Sequence, residues 1–137
     1  MKKTLALTLV IMLLLSLLMA CREPERDLFA DAMYTEDTTL GAGDTTFTLN
    51  VTVEDKTVVF TINTGETNLA KAFLESGIVE GDDGIYGLYI KKVNGITADY
   101  DVDASWWGLY VGDEASMVGA DGITIENGAQ YSLVYSK

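Results

Sequence analysis

The chain has 137 residues, with 21 acidic and 9 basic side chains, no histidine and a formal net charge of −12 at pH 7. Such an acidic surface repels phosphate backbones, so the charge argues against nucleic-acid binding. The one cysteine, Cys21, has no partner within the sequence, which excludes an internal disulfide.

The first twenty residues have the pattern of a secretory signal peptide. Lys2 and Lys3 precede an apolar run at residues 5–18. Residues 18–21 read Leu-Met-Ala-Cys, which resembles the lipobox of bacterial lipoproteins. The resemblance implies cleavage before Cys21, lipid attachment to its thiol and anchoring on the extracellular face of the cell membrane. An ordinary signal peptide and a short transmembrane anchor are the alternatives.

Residues 21–45 are predicted to form a lipidated, acidic and flexible stalk. This segment holds the only proline of the chain, Pro24, together with seven acidic side chains and a Gly-Ala-Gly run at residues 41–43. Few apolar residues are present to drive burial. We therefore expect a solvated spacer, with a recognition role as the alternative.

Residues 46–137 are predicted to form one folded domain that begins with a hairpin and a helix. Apolar and polar residues alternate through residues 46–63, around a polar turn at Glu54-Asp55-Lys56, which predicts two paired strands. The period then changes to that of a helix at residues 67–77. Thr67 is the expected N-cap, and Gly77 is expected to end the helix.

The remainder of the domain has the composition of strands. Residues 81–84 are predicted to form a turn, residues 85–93 a strand, and Asn94-Gly95 a tight hairpin turn. Further strands are expected at residues 106–111 and 131–135. A hairpin, a helix and then several strands predict an α+β fold, a β-grasp-like mixed sheet with one short helix packed on a face.

Several of these runs together resemble the transcobalamin-like C-terminal domain family. They are Leu-Ala-Lys-Ala-Phe at residues 69–73, Gly-Leu-Tyr-Ile-Lys-Lys-Val-Asn-Gly at 87–95, Trp-Trp-Gly-Leu-Tyr-Val at 106–111, Gly-Ala-Asp at 119–121 and Asn-Gly-Ala-Gln-Tyr at 127–131. The family is similar to the domain that closes over cobalamin in transcobalamin and intrinsic factor. The resemblance implies a β-grasp-like fold and a soluble ligand. The chain departs from the family at Gly112-Asp113, where an Asn-Gly turn is common.

The strand at residues 106–111 contains the candidate binding residues. Neighbouring side chains of a strand point to opposite faces, so we assign Trp107, Leu109 and Val111 to the core. Trp106 and Tyr110 then flank Gly108 on the other face, where they form a candidate platform for a planar or saccharide-like ligand. The alternative is that both aromatic side chains only pack on a neighbouring strand or loop.

No motif in the sequence predicts catalysis or a metal site. Asp99, Asp101 and Asp103 have the spacing that starts a calcium loop, but Ala104 and Tyr110 occupy positions where a glycine and a glutamate are needed. We expect a solvated acidic loop; weak calcium binding would need Asp82 or Asp83 nearby. We therefore expect no catalytic residues, no metal, no cofactor and no enzyme activity.

The sequence supports two functions. The first is a membrane-anchored extracellular module that binds a small ligand through Trp106 and Tyr110, with cobalamin or another corrinoid as the candidate ligand. The second is a structural or adhesive surface module that docks a partner protein through a sheet edge or an aromatic face.

Overall fold

The computed structural model describes residues 2–19 and 26–137, and it shows a mixed α+β fold built mostly from strands. The strands are β1 Thr38–Gly41, β2 Thr45–Val53, β3 Lys56–Thr64, β4 Val79–Gly84, β5 Gly87–Val93, β6 Ile96–Thr97, β7 Trp106–Val111, β8 Glu114–Ala115 and β9 Gln130–Ser136. The α-helices are α1 Lys2–Met19, α2 Leu69–Ser76 and α3 Tyr100–Asp103. Two 3-10 turns lie at Leu28–Asp31 and Ala120–Gly122.

Six strands form one mixed sheet in the order β1-β3-β2-β9-β7-β8. The β2–β3 and β7–β9 pairs are antiparallel, whereas β1 runs parallel to β3 and β2 runs parallel to β9. The predicted hairpin of β2 and β3 and the predicted strands β7 and β9 are confirmed. After the first residue of each strand, buried side chains alternate with more exposed ones along β2 and β3, so one face of the sheet forms the core.

Helix α2 covers the core face of this sheet. Its apolar stripe is fully buried, and the ring of Phe73 lies 6.2 Å from that of Phe47 on β2. Gly77 ends the helix in a left-handed conformation, as predicted. The N-cap, however, is Asn68 and not Thr67, because the Asn68 side chain accepts a hydrogen bond from the backbone N–H of Lys71.

The remaining strands form a second sheet, in the order β4-β5-β6, where the expectation was a single mixed sheet. Residues 81–84 are not a turn, since they belong to β4 and pair with β5, and the chain reverses at Ile85 and Tyr86. The sequence of β4 is rich in glycine and aspartate, which are uncommon in strands. The predicted Asn94-Gly95 turn is confirmed between β5 and β6.

Residues 26–45, the described part of the predicted stalk (residues 21–45), include a segment that packs on the folded domain and is not a free spacer. Strand β1 adds to the edge of the six-stranded sheet. The buried Asn94 side chain accepts a hydrogen bond from the Tyr34 N–H and donates one to the Tyr34 carbonyl, at 2.9 Å each. The Tyr34 ring also packs edge-on against Phe60. The folded unit therefore begins well before Thr46, because a few apolar side chains suffice where backbone pairing accompanies them.

Helix α1 contains the apolar run predicted to be a signal peptide. Its described apolar side chains from Leu7 to Leu13 are exposed. Within the described ranges, no helix is both long enough and apolar enough to span a membrane. The end of the lipobox, with the candidate lipid attachment residue Cys21, lies outside the described residues.

We predict that Asn94 fastens the N-terminal segment to the domain. Asn94→Gly keeps a residue that tolerates the observed φ of 49° but removes both hydrogen bonds to Tyr34. We expect it to lower the free energy of unfolding by about 2 kcal/mol, because two backbone groups lose their partners. Asn94→Ala should cost about 1 kcal/mol more, since alanine is strained at positive φ. Urea unfolding measures both variants, and a wild-type midpoint for Asn94→Gly would contradict the prediction.

Candidate ligand-binding face

Strand β7 lies between β9 and the short β8, and its side chains alternate between the core and the opposite face. Trp107 is 7% exposed, whereas Trp106 is 46% exposed. The Trp107 ring packs edge-on against Tyr135, with 5.6 Å between centroids. Its buried Nε1 has no hydrogen-bond partner among the described residues, so the ring stabilises the fold through apolar contact.

Trp106 and Tyr110 meet over Gly108. A Cβ atom at Gly108 would lie 3.0 Å from Cζ3 of Trp106 and 3.3 Å from Cε2 of Tyr110. Both rings therefore approach the backbone of the residue between them, and a side chain larger than that of glycine would have to displace them. We call Trp106, Gly108 and Tyr110 the aromatic platform. The Trp106 and Tyr110 rings together cover Gly108.

One residue of this strand departs from the predicted pattern. Val111 was assigned to the core with Trp107 and Leu109, but its side chain is exposed. It pairs with Tyr131 near the start of β9 and with Glu114 of β8, the edge strand of the sheet. The alternation of side chains along a strand predicts which face each side chain points to. It does not show how far along the strand other elements cover the core face.

The aromatic platform belongs to a larger surface, the outer face of the six-stranded sheet. We define the outer face by the side chains that point away from α2. They are Thr39, Thr46, Thr48, Asn50, Thr52, Thr57, Val59, Thr61, Asn63, Trp106, Gly108, Tyr110, Ala115, Gln130, Ser132, Val134 and Ser136. The alternation in β2 and β3 places their polar residues on one face. It could not show that β9 and β7 continue that face beside β2.

Hydrogen bonds within the outer face are unevenly distributed. The Thr46 hydroxyl donates to Oδ1 of Asn63 at 2.7 Å, and the hydroxyls of Thr52 and Thr57 are 2.9 Å apart. In the described part of the chain, the side chains of Asn50 and Ser132 make no such bond. The hydrogen-bonding groups beside the aromatic platform are therefore available to a ligand.

The aspartate side chains of the acidic loop at residues 99–103 accept hydrogen bonds from nearby residues of the same loop. Asp99 caps α3 by accepting a hydrogen bond from the Asp101 N–H, and Asp103 accepts from both the N–H and the hydroxyl of Ser105. The hydroxyl bond holds the pKa of the Asp103 carboxyl below its ordinary value of 3.8. Asp82 pairs with Lys91 at 2.8 Å.

The same acidic side chains are the candidate ligands for a metal ion. Among residues 2–19 and 26–137, no three aspartate, glutamate or cysteine side chains are grouped in a way that could hold a metal ion. The structure does not bring Asp82 or Asp83 together with Asp99, Asp101 and Asp103 into such a group.

A second exposed surface was missed by the sequence analysis. Ile85 and Tyr86 at the β4–β5 turn are each 91% exposed, and Met117 is 97% exposed. Asp121 accepts a hydrogen bond from the Leu88 N–H, which holds this turn beside the loop that contains Met117 and Val118. We call Ile85, Tyr86, Met117 and Val118 the apolar tip. Its residues are scattered in the sequence, so no local pattern indicates it.

Two open grooves border the N-terminal segment, and neither includes the aromatic platform. The smaller, of about 440 Å³, is lined by residues such as Asp31, Met33 and Ile78. The larger, of about 1170 Å³, lies between Leu28, Thr97 and Tyr135.

A family model described as a domain of unknown function (DUF4430) matches residues 66–136. The chain belongs to this family. The matched region of the DUF4430 domain runs from the residues before α2 to the end of β9, so it includes the aromatic platform and the apolar tip. No protein in the curated set matches the chain.

Two solved structures are similar to this DUF4430 protein. A protein from Ruminococcus gnavus ATCC 29149, described as a candidate metal binding protein, is 28% identical, with a TM-score of 0.64 over 69% of this chain and 98% of that chain. Haptocorrin in complex with Cbi is 22% identical, with a TM-score of 0.51 over 68% of this chain. The chain spans 25% of the length of haptocorrin. The predicted transcobalamin-like resemblance is thus supported at the level of the fold.

We predict that Gly108→Ala disturbs the aromatic platform without unfolding the domain. The added methyl group would displace the Trp106 ring, so collisional quenching of tryptophan fluorescence by acrylamide should increase. The free energy of unfolding should fall by about 1 kcal/mol, as for a modest steric overlap. Gly65→Ala is the matched control, because a Cβ atom there meets nothing within 4 Å. Equal quenching in both variants would show that the two rings do not depend on Gly108.

Proposed function

We propose that the protein is a β-grasp-like, membrane-anchored extracellular module that binds a small ligand on the aromatic platform. The observation that carries the proposal is the convergence of Trp106 and Tyr110 over Gly108 on the side of the sheet away from α2. An aromatic surface that remains half exposed in the folded protein gains free energy when a flat ligand covers it.

Corrinoids are the first ligand class to test. Haptocorrin, in complex with Cbi, has a similar fold over part of its length, and this likeness motivates the choice without identifying the ligand. The chain spans a quarter of haptocorrin. We therefore propose that a corrinoid would bind either on the platform alone or between this domain and a second protein.

Binding without catalysis is the simplest role for the platform. Aromatic rings and a glycine supply no group that transfers a proton or attacks an electrophile. The absence of histidine from the sequence supports the same view. We propose accordingly that the protein is not an enzyme and needs no cofactor, with cobalamin considered only as a ligand.

We predict that Trp106 carries the binding free energy of a corrinoid. Calorimetric titration of the full chain in detergent micelles with cobalamin and with Cbi measures the dissociation constant. Trp106→Ala should weaken binding about tenfold or more, since stacking on an aromatic ring contributes roughly 1–2 kcal/mol. Tyr86→Ala is the control, because it removes an exposed aromatic ring of the apolar tip. Flat titrations with the wild-type chain would contradict corrinoid binding.

The proposed localisation rests on the sequence alone. A basic start, an apolar run and a lipobox-like end at Cys21 are the pattern of a lipoprotein signal. Acyl chains hold a protein on a bilayer through burial of their methylenes, at about 0.8 kcal/mol each, so two or more chains give stable anchoring.

We predict that Cys21→Ser releases the protein from the membrane fraction of cells that express it. Serine has no thiol to receive the lipid, so the mature chain should appear in the soluble or secreted fraction. Ala20→Gly is the matched control, because it keeps a small residue before Cys21 and should stay anchored. Fractionation with metabolic lipid labelling measures both variants. An unlabelled wild-type chain that only detergent extracts would indicate a transmembrane anchor in place of a lipid.

Docking of a partner protein is the second candidate function, and the apolar tip favours it. Side chains as exposed as Ile85, Tyr86 and Met117 are unfavourable in water unless another surface covers them. In this case the module would be structural or adhesive. Flat titrations with every class of small ligand tested would leave this function as the one to pursue.

A further inference from the structure

The outer face of the six-stranded sheet carries no charged side chain on any of its described strands. The chain as a whole has 30 charged residues, of which 21 are acidic and 9 are basic. The charged residues of these six strands, Lys56 and Glu114, lie at positions that alternate with the outer-face residues, and the polar side chains of the outer face are threonine, serine, asparagine, glutamine and tyrosine. This face therefore differs in chemistry from the rest of the surface.

The absence of charged side chains on the outer-face positions of these strands restricts the class of ligand that can bind there. An ionic ligand gains most from groups of opposite charge, and the face offers none for an anion or a cation. Hydroxyl and amide side chains can instead both donate and accept hydrogen bonds with neutral polar groups. A ligand that suits the face is uncharged, rich in hydroxyl or amide groups, and apolar on at least one side.

A row of side chains leads from the aromatic platform across the sheet. Tyr110 on β7 is paired with Ser132 on β9, and Ser132 is paired with Asn50 on β2. Neighbouring strands are about 4.8 Å apart, so Asn50 lies roughly 10 Å from Tyr110 along the row. A ligand that touches both the platform and Asn50 must be longer than one sugar ring.

We propose that the outer face binds an uncharged oligosaccharide, and this proposal rests on the platform being the ligand-binding site. One sugar ring stacks its apolar face on Trp106 and Tyr110. The next rings lie along the row, where their hydroxyl groups exchange hydrogen bonds with Ser132 and Asn50. These two side chains make no hydrogen bond to the described part of the protein, so no internal bond is lost on binding.

The proposal is tested by binding of the full chain, in detergent micelles, to neutral oligosaccharides. The probes are maltoheptaose, cellohexaose and chitohexaose, each beside its monosaccharide, with oligogalacturonate as an acidic oligosaccharide. We expect at least one neutral oligosaccharide to bind more than tenfold tighter than its monosaccharide, because only the longer ligand reaches Asn50. Oligogalacturonate should not bind, since an acidic chain repels it.

Substitutions locate the binding site. Trp106→Ala should weaken binding of the oligosaccharide about tenfold or more. Asn50→Leu, which has similar volume and no hydrogen-bonding group, should weaken it roughly three- to tenfold, and Ser132→Ala by a similar factor. Tyr86→Ala should bind as the wild-type chain does. Circular dichroism and urea unfolding check that each variant is folded.

Each other outcome would overturn the proposal in an identifiable way. Binding of cobalamin without any neutral oligosaccharide would reject the glycan and leave the small-ligand function standing, whereas no binding of either would reject both. Oligosaccharide binding unchanged by Asn50→Leu and Ser132→Ala would place the ligand elsewhere. Self-association that is lost in Asn50→Leu, measured by sedimentation without glycan binding, would assign the face to a second copy of the chain.

Discussion

The parallel pairing of β2 with β9 is the contact on which the rest of the structure depends. It joins the β1-β3-β2 part of the sheet to the β9-β7-β8 part, and each part alone is an incomplete layer. Tyr131 of β9 packs edge-on against Phe47 of β2, whose ring also contacts Phe73 of α2. The same pairing brings Asn50 beside Ser132 on the opposite face. The register of the β2–β9 pair therefore determines both the contacts in the core and the arrangement of side chains on the candidate binding face.

The two candidate surfaces differ in what holds them. The aromatic platform lies on β7, which pairs with β9 along its whole length, and Gly108 allows both rings to approach the backbone. The apolar tip lies on a turn and a loop that Asp121 ties together. Sites on strands keep their geometry better than sites on loops, which suits the platform to a small ligand. The tip is better suited to a partner that can adapt to it.

Local sequence patterns correctly predicted those elements whose contacting residues are also close together in the sequence. The β2–β3 hairpin, α2 and the Asn94-Gly95 turn each depend on contacts between residues that are close together in the sequence. All three elements are present. Strand β4 was predicted as a turn because glycine and aspartate are rare in strands, yet pairing with β5 overrides that preference. Residues 38–41 were predicted as stalk because their partner, β3, lies further along the chain.

The candidate site was predicted in part for the same reason. Alternation along β7 separated Trp106 from Trp107, and the structure places them on opposite faces as expected. Nothing within β7 indicates that Ser132 and Asn50 lie beside it, because those neighbours come from strands far away in sequence. The apolar tip combines two segments that are distant in the sequence, and no pattern within either segment predicts it. A single sequence does not show which of its distant strands pair with each other.

The position of β9 in the order of synthesis affects how the domain folds. The hydrogen bond between the Thr46 N–H and Oδ1 of Asn127 already closes a loop of 81 positions, and β9 follows directly after it. Contacts between residues so distant in sequence make folding slow, because a long loop must close before they form. Until β9 arrives, the inner edges of β2 and β7 have unpaired backbone groups and exposed apolar side chains. The partly folded chain is thus most prone to aggregation in the interval before β9 enters the sheet.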